Sequence, residues 1–138
     1  MKKFQILYID DSKEDRELLR TIVGTIASDI EILEQADGET GLMFLQNDEI
    51  ATPDLVLLDL NMPGMHGIQV LKTIRDDEKL KSLPVIVFTV STASNHIKEA
   101  FRAGANAVIN KPLDLSEYKQ VFIDTFHFWR NISRLPSS

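Results

Sequence analysis

The sequence predicts an α/β protein built on a doubly wound parallel sheet. Short runs rich in Val, Ile and Leu alternate five times with longer amphipathic stretches. Because each parallel strand pair needs a long right-handed crossover, every helix would return the chain across the sheet. No internal repeat, low-complexity tract or linker interrupts this alternation. The pattern therefore predicts one domain over residues 1–138.

The apolar runs define the strands, and the amphipathic stretches between them define the helices. The predicted strands are 4–9, 30–35, 55–59, 85–89 and 107–110. The predicted helices are at about 13–27, 38–47, 65–76, 93–103 and 115–132. Ser12 and Asp15 resemble a capping box, and Asp37 is a suitable N-cap for the second helix. Gly104 suits the end of the fourth helix.

The composition excludes several functional classes. Hydrophobic residues make up 43% of the chain and charged residues 26%, and no apolar run approaches the roughly 18 residues of a membrane span. The chain has no cysteine, which excludes disulfides and thiolate chemistry, and no export signal, so we expect a cytoplasmic protein without a membrane partner. The net charge of −6 argues against nucleic acid as a partner.

Acidic and polar residues stand where the predicted strands end. Asp10 and Asp11 follow the first strand, Asp59 and Thr89 end the third and fourth, and Lys111 follows the fifth. The carboxyl ends of parallel strands share one edge, where ligands bind. Two carboxylates at about 4 Å repel by roughly 4 kcal/mol at an effective dielectric near 20, so the cluster needs cations. We expect Lys111 to supply one, and Mg²⁺ to supply the rest.

This combination of residue types predicts a site that receives a phosphoryl group. A carboxylate can attack phosphorus to form an aspartyl phosphate when the charge on the incoming group is neutralised. Asp59 is the best nucleophile because it stands alone after the most apolar strand, whereas Asp10 and Asp11 suit metal ligation. Thr89 can donate a hydrogen bond to one phosphoryl oxygen, and Lys111 can form a charge-assisted pair with another.

In their order and placement, these five residues resemble the receiver domain of two-component response regulators, over essentially the whole chain. The resemblance implies a flavodoxin-like (βα)5 fold with strand order 2-1-3-4-5. It implies that Asp59 is the phosphoacceptor and that a sensor histidine kinase or a phosphotransfer protein is the donor. It also implies Mg²⁺, with Mn²⁺ as an alternative, held by Asp10, Asp11, Asp59 and the backbone carbonyl of Asn61. A cis bond before Pro112 is a further implication.

The C-terminal segment narrows the resemblance. "FHFWRNISRLP" is similar to the tail of single-domain regulators that serve bacterial and cyanobacterial phytochrome kinases, which implies a kinase of that type as partner. No output domain is expected after the helix at about 115–132, so the signal would leave through protein contacts.

This helix carries more apolar residues than one stripe requires. A wider core contact would explain them, but we favour a homodimer through Phe122, Phe126, Phe128 and Trp129.

Two positions depart from the receiver pattern. Val108 stands where receivers commonly carry Tyr or Phe, which removes the usual aromatic switch. Val90 is larger than the Ala or Gly often found after the hydroxyl residue, so we expect it to narrow access to the phosphoryl group.

The chain is expected to catalyse only its own phosphotransfer and dephosphorylation. Two alternatives stay open: a haloacid-dehalogenase-like phosphatase, and a receiver-like adaptor that never accepts phosphate.

Overall fold

The fold is known from a computed structural model that describes residues 3–90, 93–133 and 135–136. Within these ranges, five strands alternate with five α-helices, and a π-helix follows. The strands are β1 (Phe4–Ile9), β2 (Ile30–Gln35), β3 (Leu55–Leu58), β4 (Val85–Thr89) and β5 (Ala107–Asn110). The helices are α1 (Lys13–Ile26), α2 (Gly38–Gln46), α3 (Gly67–Asp76), α4 (Ser94–Arg102), α5 (Leu115–His127) and the terminal π-helix (Phe128–Ile132).

The sheet has the strand order 2-1-3-4-5 and is parallel throughout, which confirms the predicted flavodoxin-like fold. Its register brings the strand ends together. Ile9 lies opposite Gln35 and Leu58, and Thr89 lies opposite Asn110. The residues that follow these strands therefore meet at one edge of the sheet.

The two faces of the sheet pack against different helices. Because side chains alternate along a strand, Leu7 and Ile9 of β1 contribute to one core and Ile6 and Tyr8 to the other. The first core packs beneath α2, α3 and α4, and its fully buried members are aliphatic residues and Met62. The second packs beneath α1 and α5 and contains five buried rings, those of Tyr8, Phe88, Tyr118, Phe122 and Phe126. In the described part of the chain, no helix has the length and apolarity needed to cross a membrane.

The predicted caps are present. The Ser12 Oγ accepts a hydrogen bond from the Asp15 N–H at 3.2 Å, and the Asp37 Oδ1 accepts one from the Thr40 N–H at 2.8 Å. Gly104 follows α4 with φ of +109°, a conformation that favours glycine. Apart from the last helix, the predicted bounds agree with the structure to within one or two residues; β3, for example, ends at Leu58 and α3 begins at Gly67. These caps fix where the chain leaves the site edge and enters each helix.

The last helix differs from its prediction. The α-helical part ends at His127, and the following turn is a π-helix in which the Ser133 N–H donates to the Phe128 carbonyl at 2.7 Å. Because a π turn holds more residues than 3.6, the α-helical period assigns the wrong faces beyond this point. Ile132, the last residue of this turn, is 60% exposed. Phe122 and Phe126, expected at a dimer interface, are buried in the core because both pack against other rings, so that assignment was wrong.

Candidate functional site

Three carboxylates converge at the carboxyl edge of the sheet. Asp10, Asp11 and Asp59 each offer one oxygen, and these oxygens all lie within 4.8 Å of one another. Asp10 and Asp59 are buried, and Asp11 is exposed. Their positions follow from backbone pairing, since the Asp10 N–H donates to the Gln35 carbonyl and the Asp59 N–H to the Ile9 carbonyl. Such a cluster needs positive charge close by, as the sequence predicted.

Lys111 supplies part of that charge. Its Nζ lies 2.7 Å from the Asp10 Oδ2, 2.7 Å from the Asp15 Oδ2 and 4.0 Å from the Asp59 Oδ2, and its side chain is only 7% exposed. Burial acts to lower the pKa of Lys111, but hydrogen bonds to Asp10 and Asp15 and the charges of Asp59 and Asp10 outweigh it and raise the pKa. The ammonium therefore stays charged, and Nζ also lies 5.7 Å from the centroid of the Phe88 ring.

Asp59 is the least satisfied acid of the cluster. Burial raises its pKa to about 6; the Lys111 charge acts against this, while the Asp10 charge adds to it. The Asp59 Oδ1 is buried and has no hydrogen-bond partner among the described residues. An unpartnered buried carboxylate oxygen beside two further carboxylates suits a hard divalent cation, which prefers oxygen ligands. The residues present therefore fit a metal ion.

A close approach of backbone builds the loop after Asp59. The Gly67 N–H donates to the Leu60 carbonyl at 3.0 Å, so α3 starts directly beside the end of β3. A Cβ on Gly67 would lie 2.4 Å from the Asp59 carbonyl oxygen and 2.7 Å from the Leu60 Cα. Only glycine fits here. The absence of a side chain allows the backbone to pass close to Asp59 and Leu60, which keeps the loop that contains Asn61 beside the site. The Asn61 Nδ2 donates to the Thr89 Oγ1 at 3.4 Å, which brings the buried Thr89 to the same cleft.

Other predicted residues take up positions around this cleft. Val90 is exposed directly after β4 and lines a cavity with Lys111, Pro112 and Leu113. Val108 is half-buried and packs against the aliphatic core. The predicted cis bond before Pro112 is wrong, because no described peptide bond is cis. An X–Pro bond favours trans by about 0.5–1 kcal/mol, and the Lys111 side chain reaches its carboxylate partners with the bond in this form.

The sequence reasoning missed two residues that contact the cluster. The Tyr8 hydroxyl donates to the Asp10 Oδ2 at 2.6 Å, and burial raises the pKa of Tyr8, so it remains a protonated donor. The sequence predicts Asp15 only as part of a helix cap, yet its carboxylate pairs with Lys111. One signal was the position of Tyr8 two residues before Asp10, a spacing that puts both side chains on the same side of an extended chain. The other was the position of Asp15 in the first turn of α1.

Together, the fold and this cluster define a receiver-type signalling domain, and comparison with known proteins agrees. The family described as "Response regulator receiver domain" matches residues 6–122. The chemotaxis protein CheY-3 of Vibrio cholerae is 37% identical over 119 residues, which cover 86% of this chain and 88% of that protein. The response regulator Rcp1 of Synechocystis is 30% identical over 137 residues, covering 96% and 93%.

A solved structure extends the likeness over nearly the whole chain. The phosphorylated cyanobacterial phytochrome response regulator RcpA has a TM-score of 0.90 at 29% identity, covering 97% of this chain and 99% of that one. The chain therefore belongs to the response regulator receiver family of two-component systems and is similar to phytochrome response regulators. Receivers are signalling proteins that histidine kinases phosphorylate, and they bind a divalent metal at an acidic pocket, which here corresponds to Asp10, Asp11 and Asp59.

Proposed function

We propose that this chain is a stand-alone response regulator, a single receiver domain over residues 1–138, that accepts a phosphoryl group on Asp59. The observation that carries the proposal is the environment of this carboxylate. It is 5% exposed, has a buried oxygen with no hydrogen-bond partner among the described residues, and lies 4.0 Å from a buried ammonium and beside two further acids. Phosphorylation would bond an Asp59 oxygen to phosphorus while the P–N bond of a donor phosphohistidine breaks.

Each neighbouring residue has a role in this proposal. Asp10, Asp11, Asp59 and the backbone carbonyl of Asn61 would hold Mg²⁺ or Mn²⁺, and a Mn²⁺-bound form of Rcp1 has been solved. The bound ion would supply positive charge to the phosphoryl oxygens. The Thr89 hydroxyl would donate to one of these oxygens, and the Lys111 ammonium would pair with another. The Thr89 Oγ1 accepts a hydrogen bond from the Asn61 Nδ2 at 3.4 Å, and the Lys111 Nζ lies 4.0 Å from the Asp59 Oδ2; both observations support these roles.

The proposed donor is a sensor histidine kinase of the phytochrome type or a phosphotransfer protein, acting in the cytoplasm. Its support is the likeness to RcpA and Rcp1 over almost the full chain. Output would pass through protein contacts, and the only catalysis would be the chain's own phosphotransfer and dephosphorylation. The haloacid-dehalogenase-like alternative has no support from the family match, because the whole of the matched region is a receiver.

We further propose that the exposed apolar surface of the last helical segment forms a homodimer. Phe128 is 46% exposed, Trp129 is half-buried and stacks edge-on against it, and Ile123 and Ile132 are exposed nearby. Exposed apolar patches of this kind mark interfaces. The mass in solution, measured by light scattering with and without a phosphoryl analogue, tests this proposal. A monomer under both conditions would contradict it.

One labelling experiment tests phosphoacceptance. The wild type, Asp59→Asn and the control Asp54→Asn are incubated with Mg²⁺ and acetyl phosphate, and their intact masses are measured. A gain of one phosphoryl mass is expected in the wild type and the control and not in Asp59→Asn. If no donor labels the wild type, the adaptor alternative replaces this proposal. If the protein instead turns over an external phosphoester, a phosphatase activity replaces it.

A further inference from the structure

Asp15 holds one side of the Lys111 ammonium. Its Oδ2 lies 2.7 Å from Nζ, the same distance as the Asp10 Oδ2 on the other side. Asp59, the proposed phosphoacceptor, is farther from this ammonium, at 4.0 Å. The lysine is therefore bound to two carboxylates in this state, and neither of them is the one that would carry phosphate.

The two carboxylate partners of Lys111 differ in what else engages them. Asp10 also accepts from the Tyr8 hydroxyl and from the Ser12 N–H, and it is a proposed metal ligand. A cation bound to Asp10 would compete with Lys111 for that carboxylate. Asp15 has no such second role: it lies on the first turn of α1, and its side chain is 32% exposed. Among the described residues, three carboxylates lie within 4.0 Å of the Lys111 Nζ, and Asp15 is the one that remains once metal occupies Asp10 and Asp59.

We propose that Asp15 is a positioning residue that holds Lys111 in its resting place and competes with the phosphoryl group for the ammonium. The inference rests on the proposed function, since it assumes that Lys111 pairs with phosphate on Asp59. Exchange of partners requires only that one lysine side chain turn from α1 towards β3. Asp15 is 32% exposed, so water can solvate its carboxylate after the exchange.

The test measures the binding of beryllofluoride, a phosphoryl analogue, by the full chain in Mg²⁺. Isothermal titration gives its dissociation constant for the wild type, Asp15→Asn, Asp15→Glu and Glu14→Gln. Asp15→Asn should bind about fivefold more tightly, the factor that corresponds to losing a partly exposed ion pair. Asp15→Glu keeps the carboxylate and should return to within about twofold of wild type.

Glu14→Gln is the matched control, because it removes the same charge from the neighbouring, exposed position of α1. Equal effects of Asp15→Asn and Glu14→Gln would overturn the inference, since general charge removal would then explain both. Failure of Asp15→Glu to restore binding would overturn it as well. If the wild type binds no beryllofluoride, or if Asp59→Asn binds it equally well, the proposed function itself fails. Those outcomes are distinct from the failure of Asp15→Asn alone.

Discussion

The two ends of the sheet hold their charged groups in opposite ways. At the amino end of β4 and β5, Arg75 is saturated with acceptors. Its guanidinium donates to three backbone carbonyls and one side-chain amide oxygen at 2.7–3.0 Å, those of Gly104, Lys81, Leu83 and Asn106. The Asn106 Oδ1 also accepts from the Val85 N–H at 2.8 Å. This end of the sheet is fastened by a cation whose donors and acceptors match.

The carboxyl end is the reverse case. Asp10 and Asp59 share one buried lysine, which also pairs with Asp15, and Asp11 lies in the same cluster. Within the part of the chain that the structure describes, one Asp59 oxygen has no hydrogen-bond partner, and burial raises the pKa of this carboxyl to about 6. Like charges held together cost stability unless a ligand offsets them. The amino end of the sheet therefore contributes stability, while the carboxyl end keeps an electrostatic cost that suits ligand binding.

Loss of the Arg75 guanidinium and its hydrogen bonds should have the largest effect on stability. Arg75→Met should lower the free energy of unfolding by about 3 kcal/mol, because it strips a charged partner from several acceptors at once. Urea unfolding monitored by circular dichroism measures the change. Arg102→Met, on an exposed position of α4, is the control and should stay within about 0.5 kcal/mol of wild type. If both variants lose the same free energy of unfolding, the Arg75 contacts do not stabilise the amino end of the sheet.

Removing the charge of Asp59 should have the opposite effect and raise the free energy of unfolding. At pH 7 without divalent ions, Asp59→Asn should raise the free energy of unfolding by about 2 kcal/mol, because a buried carboxylate with a raised pKa is less stable ionised in the fold than in the unfolded chain. The same urea titration measures the gain.

The pH dependence of that gain follows from the direction of the shift. The folded pKa of Asp59 is about 6 and its ordinary value is 3.8, so between these values the folded state binds more protons than the unfolded state. This group's contribution therefore makes the wild type more stable as pH falls through that window. The advantage of Asp59→Asn should be full above pH 6 and nearly absent near pH 4. An advantage that is equal at both pH values would show that charge is not its cause.

Much of the fold followed from burial that the sequence makes visible. The predicted bounds of β4 are confirmed because Val85–Thr89 is buried along its whole length, and a continuous apolar run signals this directly. The helix start at Gly67 was less accessible, because the cap is the His66 Nδ1, which accepts from the Ile68 N–H. Histidine is outside the usual set of N-cap residues. The π turn at Phe128–Ile132 leaves no signal in the 3.6-residue periodicity of an α-helix.

The candidate site likewise contains residues that the sequence predicts and contacts that it does not. Asp10, Asp59, Thr89 and Lys111 were predictable because the ends of parallel strands share an edge, so position along the chain was enough. The Lys111–Asp15 pair was not predictable, since it joins residues 96 positions apart through side-chain geometry. The prediction of a cis bond before Pro112 was wrong for a related reason. Its two isomers differ by only about 0.5–1 kcal/mol, so packing decides between them.

Metal binding should reduce the cost at the carboxyl end. Mg²⁺ at tenfold its dissociation constant should stabilise the wild type by about 1.4 kcal/mol through linkage, and EDTA should reverse the gain. Thermal unfolding at increasing Mg²⁺ measures it. Asp59→Asn, which lacks one proposed ligand, should gain less at the same Mg²⁺ concentration, and Asp54→Asn should gain as much as wild type. Equal gains in all three proteins would place the ion elsewhere.

The smallest effect should come from Asp54, the aspartate that precedes β3 as Asp59 follows it. The Asp54 Oδ2 accepts from the Gln5 N–H at 2.8 Å, which ties β1 to β3 at the amino end. Asp54→Ala should therefore cost about 1 kcal/mol, because a half-buried backbone donor loses its charged acceptor. Urea unfolding of Asp54→Ala beside Asp59→Ala separates the two ends of one strand. If both variants move stability in the same direction, the two ends do not differ in kind, because one carboxylate would then be no more costly to bury than the other.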